Sequence, residues 1–308
     1  MTGQTSTDAR KSPRLLPTGR GRGALLAWAF IAPALVFYAT FVLIPMATSI
    51  YYSLLHWDGV GPWRFEGLSN YVVVLSEPDM LQVLGNAFQL VAYFTIIPVG
   101  IGLAVASTIR SQLSGRFGAT VRAVLFLPQI IPLVAAGIAW SWVLASDGVV
   151  NQLLVAIGLG NVARGWLGDF DFALPAVGII GAWVLLGLCT MLLVTGITKI
   201  DPNLYEAAEF DGASPWDQFL WITLPGLRQE IGVCVTVTVI AALASFDIVY
   251  IATGGGPGLQ TTVPGLEIYR LAFAHRQVGL ASALAVVLMV LVILCILPIQ
   301  WYMRRRPK

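Results

Sequence analysis

Residues 280–303 read LASALAVVLMVLVILCILPIQWYM, twenty-four positions without one charged side chain. At about 1.5 Å of rise per residue, such a run crosses roughly 30 Å of hydrocarbon as a single helix. Five further stretches of the same kind precede it, at approximately Gly23–Ile50, Leu84–Ile109, Val121–Leu144, Leu174–Thr195 and Ile231–Thr253. The expected fold class is therefore all-α: a polytopic membrane protein with six transmembrane helices. Composition agrees, since 57% of the 308 residues are hydrophobic and 11% are charged, against about a quarter charged in soluble domains. With a mean hydropathy of +0.80, this excludes a disordered chain and an ordinary water-soluble enzyme. The first stretch follows a basic segment (Arg10, Lys11, Arg14, Arg20, Arg22). Its apolar run far exceeds the roughly 7–15 residues of a signal peptide, and no small-residue cleavage pattern follows, so it is read as a span.

Orientation follows from the distribution of Lys and Arg. With the N-terminus inside, fourteen fall on the inner side and four (Arg64, Arg164, Arg270, Arg276) on the outer side. Both termini are therefore expected in the cytoplasm. Residues 1–22 form a tail, of which the first twenty read as disordered; 23–303 form the six-span domain, and 304–308 a basic cytoplasmic end. The net charge of +2 and the membrane setting give no reason to expect nucleic acid as a partner. Cys189, Cys234 and Cys295 lie inside apolar stretches with no CxxC or Cys/His cluster, and read as small core residues without disulfide or metal.

The inner loop of about 196–230 carries six acids against two bases, against the usual sign bias of an inner loop. Its centre, 201–227, reads DPNLYEAAEFDGASPWDQFLWITLPGL. Asp201 is a helix N-cap with Pro202 at the first helical position. Leu204, Ala207, Ala208 and Asp211 fall on one face, and Gly212 supplies the left-handed turn that ends the helix. Ser214, Pro215 and Asp217 start a second short helix, which Pro225 is expected to end. The small residues would let another surface approach the backbone, and Phe210, Trp216 and Phe219 are sized to fill pockets.

The spacing Glu206-Ala207-Ala208, three residues, Gly212, nine residues, Ile222, one residue, Leu224-Pro225 resembles the EAA loop of permease subunits of binding-protein-dependent ABC importers. In that family this loop holds the coupling helix that docks into a cytoplasmic ATPase. Phe246-Asp247, Tyr250, Thr253-Gly254-Gly255-Gly256-Pro257 and Thr261 are similar to the fifth-span exit of the sugar-type group, which contains maltose and glycerol-3-phosphate importers. Ile44-Pro45, Gly67-Leu68-Ser69-Asn70-Tyr71, Leu127-Pro128, Ile131-Pro132, Trp140, Gly148 and Asn151 are similar to the same group. The resemblance, over about residues 25–305, implies a bacterial inner (plasma) membrane subunit that pairs with a second homologous permease. It implies a cytoplasmic ATPase dimer on the two EAA loops, an external solute-binding protein, and a carbohydrate or glycerol-phosphate substrate moving inward.

Other residues separate this from a stand-alone secondary transporter or a membrane-embedded enzyme, either of which should carry ionisable pairs inside its spans. Asp247 is the one plainly internal acid, with no deep His, Lys or Arg to pair with it. HExxH and nucleophile-elbow patterns are absent, and His56 and His275 fall in outer loops. No catalytic residue or cofactor is assigned, and the glycine run before Pro257 lacks the Gly-Lys-Ser/Thr of a phosphate loop; it reads as a tight turn ending span five. Pro128 and Pro132 predict a kink or local opening in span three, which either lines a cavity or packs against neighbours. Asp247 lies about 9 Å inside the outer end of span five. It either accepts hydrogen bonds from sugar hydroxyls, with Tyr250 three residues on, or bonds the backbone of a neighbouring broken helix.

Impermeant maleimide applied to intact cells carrying single cysteines in a Cys-free background should label positions 63 and 255 and spare position 218. Labelling at 218 from outside would reverse the orientation.

Overall fold

A computed structural model describes residues 20–112 and 116–304. The expected tail up to residue 19 and the basic residues after Arg304 lie outside the described residues. The chain divides into two compact units, Met1–Thr48 and Ser49–Lys308. Helix α1 (Arg20–Tyr38) runs through a π turn at Ala39–Leu43 into α2 (Ile44–Tyr52), which crosses the boundary between the units.

The second unit opens with a departure from a purely helical chain. Strands β1 (Leu55–His56) and β2 (Arg64–Phe65) pair antiparallel, Leu55 opposite Phe65 and His56 opposite Arg64. There follow α3 (Ser69–Ser76), α4 (Pro78–Gln112), α5 (Arg116–Ile130), α6 (Leu133–Val143), α7 (Val149–Ala156), α8 (Ala173–Ile197), α9 (Pro202–Phe210), α10 (Pro215–Gln218), α11 (Leu224–Gly226), α12 (Arg228–Leu243), α13 (Asp247–Ala252), α14 (Pro264–Tyr269) and α15 (Val278–Arg304).

Among the described residues, four helices are long and apolar enough to cross a membrane: Trp28–Tyr52, Pro78–Thr108, Ala173–Ile197 and Val278–Met303. Two bent pairs, Ala123–Ile130 with Leu133–Val143 and Pro215–Gly226 with Arg228–Leu243, bring the number to six if each counts as one crossing. The expected kink in the third span is a bend of 106°. It falls at Ile131 and Pro132, while Pro128 stays inside α5. Ile131, which precedes Pro132, lies outside both helices, as the clash with a following proline ring favours, while Leu127, before Pro128, stays helical.

The fifth span is not the continuous helix expected over Ile231–Thr253. Helix α12 ends at Leu243, the backbone breaks over 244–246, and α13 begins at Asp247. No Gly or Pro lies in this break, and other segments pack closely against it. Gly265 brings α14 against the Ser245 carbonyl, 2.8 Å from where a Cβ would stand, and α13 turns away to pack on α6.

Helix α8 is the centre of this unit. It is apolar on every side, as a helix surrounded by others must be, and 67% of its most apolar window is buried, against 28% for α4 and 17% for α15. Its glycines set the distances to its neighbours: rings of Tyr93 and Phe94 from α4 occupy the places where Gly178 and Gly181 would carry Cβ atoms. Gly187 faces the Leu125 carbonyl of α5. Small residues allow this backbone approach between helices in lipid. Cys189 and Cys234 are buried together in the α8–α12 core, as expected, while Cys295 is half-buried. Polar cross-links tie α4 to its neighbours. Asn86 of α4 donates to the Leu259 and Thr262 carbonyls at 2.8 and 2.9 Å, and Thr95 bonds Thr238 of α12 at 2.9 Å.

A Cβ at Gly187 would stand 2.5 Å from the Leu125 carbonyl oxygen and 2.8 Å from the Phe126 Cα, both backbone atoms. Gly187→Ala should therefore cost about 1–3 kcal/mol, read as a lower thermal midpoint of the detergent-purified chain. Gly85→Ala, in α4 with nothing within 4 Å, should leave the midpoint unchanged or raise it. Equal midpoints for the two variants would contradict the close α5–α8 approach.

Candidate functional site

The loop after α8 folds as two limbs joined at Gly212. The Asp201 side chain accepts from the Asn203 backbone N–H, capping α9 with Pro202 in its first turn. Gly212 closes the limb at φ +80°, with nothing within 4 Å of where a Cβ would stand. Ser214 and Asp217 form a reciprocal capping box at the start of α10. The Ser214 hydroxyl, then its backbone N–H, hold the Asp217 carboxyl below the ordinary carboxylate value.

Pro225 does not end the second limb. The chain runs from α10 through a π turn at Phe219–Thr223 into α11, which contains Pro225, and turns by 68° at Leu227 into α12. In the π turn the backbone bonds reach five residues back, as Leu224 does to Phe219. The register shift lets the helix carry a proline that has no N–H to give.

Of the seven residues expected to act in coupling, Glu206, Ala207, Gly212, Leu224 and Pro225 are exposed, and Ala208 and Ile222 are half-buried. The predicted face of Leu204, Ala207, Ala208 and Asp211 looks mainly outward. Phe210, Trp216 and Trp221 are 93%, 65% and 77% exposed, a set of large rings among acids that marks a contact surface. Phe219 instead stacks on Trp216 at 5.4 Å.

Residues that the sequence reading passed over hold this surface in place. Tyr205 is buried and its hydroxyl bonds the buried Thr223 Oγ1 at 3.0 Å, tying α9 to the second limb. Leu227 is fully buried in the core of α4, α8 and α12, and Ile200 fills the space beside Gly226. Lys199 pairs with Glu230 at 3.0 Å across the base of the loop. Beneath the limbs lies a groove of about 700 Å³, lined by Tyr205, Trp216 and Phe219 on one side and Gly100, Leu103 and Ser107 of α4 on the other.

Asp247 and Tyr250 sit together on α13, both exposed. Asp247 is the first residue of that short helix, not a mid-span residue, because the break precedes it. Its carboxylate makes no hydrogen bond or ion pair among the described residues. Tyr250 stacks on Phe246 at 5.2 Å and meets Tyr269 edge-on at 5.8 Å, and Tyr269 continues to Phe273 at 5.3 Å. The following glycine turn is tight, as expected: Gly254 and Gly255 have positive φ. Arg270 donates to the Gly254 carbonyl, and the Thr262 hydroxyl to that of Gly255. The arrangement offers a carboxylate acceptor beside a run of aromatic faces.

Residues 79–306 match the family described as binding-protein-dependent transport system inner membrane component. The chain is 35% identical over 269 residues to a probable ABC transporter permease protein, YurN, of Bacillus subtilis, covering 87% of this chain and 92% of that protein. It is 33% identical over 282 residues to the trehalose/maltose transport system permease protein MalF of Thermococcus litoralis, covering 88% and 91%. In fold it is similar to a chain of a bacterial ABC transporter that imports the acidic polysaccharide alginate, with a TM-score of 0.77 at 23% identity, covering 93% of this chain and 98% of that one.

Because the Asp247 carboxylate is exposed and unbonded in the chain, Asp247→Asn should shift folding stability by no more than about 0.5 kcal/mol, the range of ordinary surface changes. Yield and thermal midpoint of the purified protein check this; loss of the folded chain would make the carboxylate a structural anchor.

Proposed function

This chain belongs to the family of binding-protein-dependent transport system inner membrane components, and on that premise we propose that it is the permease subunit of an ATP-driven carbohydrate importer. The observation that carries this reading is the α9–α11 loop, whose motif residues and large rings face away from the protein. Residues 23–303 form the permease domain, with loop 201–227 and both termini in the cytoplasm; the fourteen-to-four division of Lys and Arg supports that orientation. Carbohydrate as the substrate class is supported by the trehalose/maltose relative and by the sugar-type sequence around Asp247.

The chain has no Gly-Lys-Ser/Thr phosphate loop, so hydrolysis of ATP belongs to a separate cytoplasmic ATPase dimer, which docks on this loop and on that of a second, homologous permease. An external solute-binding protein delivers the substrate, and the two permeases form the path between them. Asp247 and Tyr250 line that path: ring faces of Phe246, Tyr250 and Tyr269 cover the apolar faces of a sugar, and the carboxylate accepts from its hydroxyls. ATP binding closes the ATPase dimer, moves both docked loops and shifts the permease pair between inward-facing and outward-facing states. It does so because the closed dimer binds one arrangement of the loops more tightly than the other.

Gly212→Trp tests the docking. With open space around Gly212, the side chain has room in the isolated chain, and the left-handed backbone costs about 1–2 kcal/mol. The folded permease should persist in the membrane while ATP-driven uptake falls at least about tenfold, a change of about 1.4 kcal/mol or more. The assay is uptake of radiolabelled maltose, trehalose and lactose into proteoliposomes holding the whole complex. Normal uptake by a stably inserted Gly212→Trp complex would overturn the docking assignment.

A further inference from the structure

We propose that the Tyr205–Thr223 hydroxyl pair is the positioning link of the coupling loop, fixing the angle between its two limbs so that displacement of one is transmitted to the other. This rests on the permease reading above and goes beyond it, because neither residue belongs to the motif that identifies the loop. Tyr205 immediately precedes Glu206, and Thr223 is the unspecified position between Ile222 and Leu224.

Three observations carry it. Helix α9 has nine residues and α10 four, too few to be stable without tertiary support. Helix α9 makes no extensive contact with another helix, and the groove of about 700 Å³ beneath the limbs separates them from α4. Finally, the Tyr205 and Thr223 side chains turn inward, at 5% and 3% exposure, among neighbours that mostly face solvent. Their hydroxyls meet at 3.0 Å across eighteen residues of chain.

Thr223 Oγ1 also lies 3.4 Å from the Gln218 carbonyl oxygen, to which it can donate; between Tyr205 and Thr223 either hydroxyl can be the donor. The relay Tyr205 to Thr223 to Gln218 ends inside the second limb, beside the π turn. Both side chains are buried, and deleting either hydroxyl removes the bond that joins the limbs. Tyr205 acts through the loop and touches neither ATP nor substrate.

The test uses Tyr205→Phe and Thr223→Val, which each delete one hydroxyl, with Thr223→Ser as the rescue that keeps it. Nitroxides at Phe210→Cys and Trp221→Cys, one on each limb in a Cys-free background, report the inter-limb distance by electron–electron resonance in the purified chain. The parent should give one narrow distribution, the two deletions a broad one, and Thr223→Ser the narrow one. In the assembled complex in nanodiscs, with Mg-ATP as the probe, each deletion should lower hydrolysis about fivefold, the factor equivalent to one net hydrogen bond. The double variant should lower it no further.

Narrow distributions in both deletions, or additive effects on hydrolysis, would overturn the link. Broad distributions with unchanged hydrolysis would reduce the pair to a local structural role and overturn the transmission. If the parent chain captures no ATPase, the permease reading fails while the distance measurement still decides whether the hydroxyls hold the limbs.

Discussion

Helix α8 has no polar face, so nothing in its chemistry chooses which side meets which neighbour. Glycines make the choice. Where Gly178 and Gly181 meet the rings of Tyr93 and Phe94, and Gly187 meets the backbone of α5, a side chain would have no place. In hydrocarbon, apolar residues gain little by leaving lipid for protein, so close van der Waals contact must hold the helices. Both functional regions hang on this frame. The loop of α9–α11 leaves from the end of α8 and returns at Leu227 to the core that α8 shares with α12, and α13 packs back toward α6 and α8.

A broken helix in a membrane exposes backbone groups that only protein or enclosed water can satisfy. The breaks at 131–132 and 244–246 are partly covered by each other's segments. Helix α13, which follows the break at 244–246, lies on α6, which follows the break at 131–132, and the Ile251 side chain stands 3.1 Å from where Gly137 would carry a Cβ. Gly265 then covers the Ser245 carbonyl. This mutual packing explains how α13 departs from the line of α12, and why Asp247 and Tyr250 stand at an exposed helix start instead of inside a continuous span.

The long apolar runs made most of the helices legible, because a run without charge constrains length and environment together. Local punctuation was equally readable: Asp201 as a cap, Gly212 as a left-handed turn, and Ser214 with Asp217 as a capping box depend on residues within three or four positions. The break after Leu243 was not legible, since no Gly or Pro marks it and the segment packed against it, around Gly265, lies about twenty residues on. Nor was the passage of the helix through Pro225, because the π turn that absorbs the missing N–H has no residue signature. The small β1–β2 pair was also missed; two-residue strands are too short to show an alternation.

The loop of α9–α11 shows why motif reading and structure find different residues. A pattern of identities such as Glu206-Ala207-Ala208 and Gly212 is recognisable because its positions sit on the exposed side, where a partner of fixed shape would restrict them together. Tyr205 and Thr223 face inward and need only reach each other, so they leave no pattern that spacing can reveal. Yet the outward set can present one shape only if the inward pair holds it. Two short limbs hinged at a glycine with positive φ have no rigidity of their own, and the open groove beneath them supplies none. A rigid contact surface on a hinged loop therefore requires an internal tie, and the buried hydroxyl pair joins the two limbs across eighteen residues of chain.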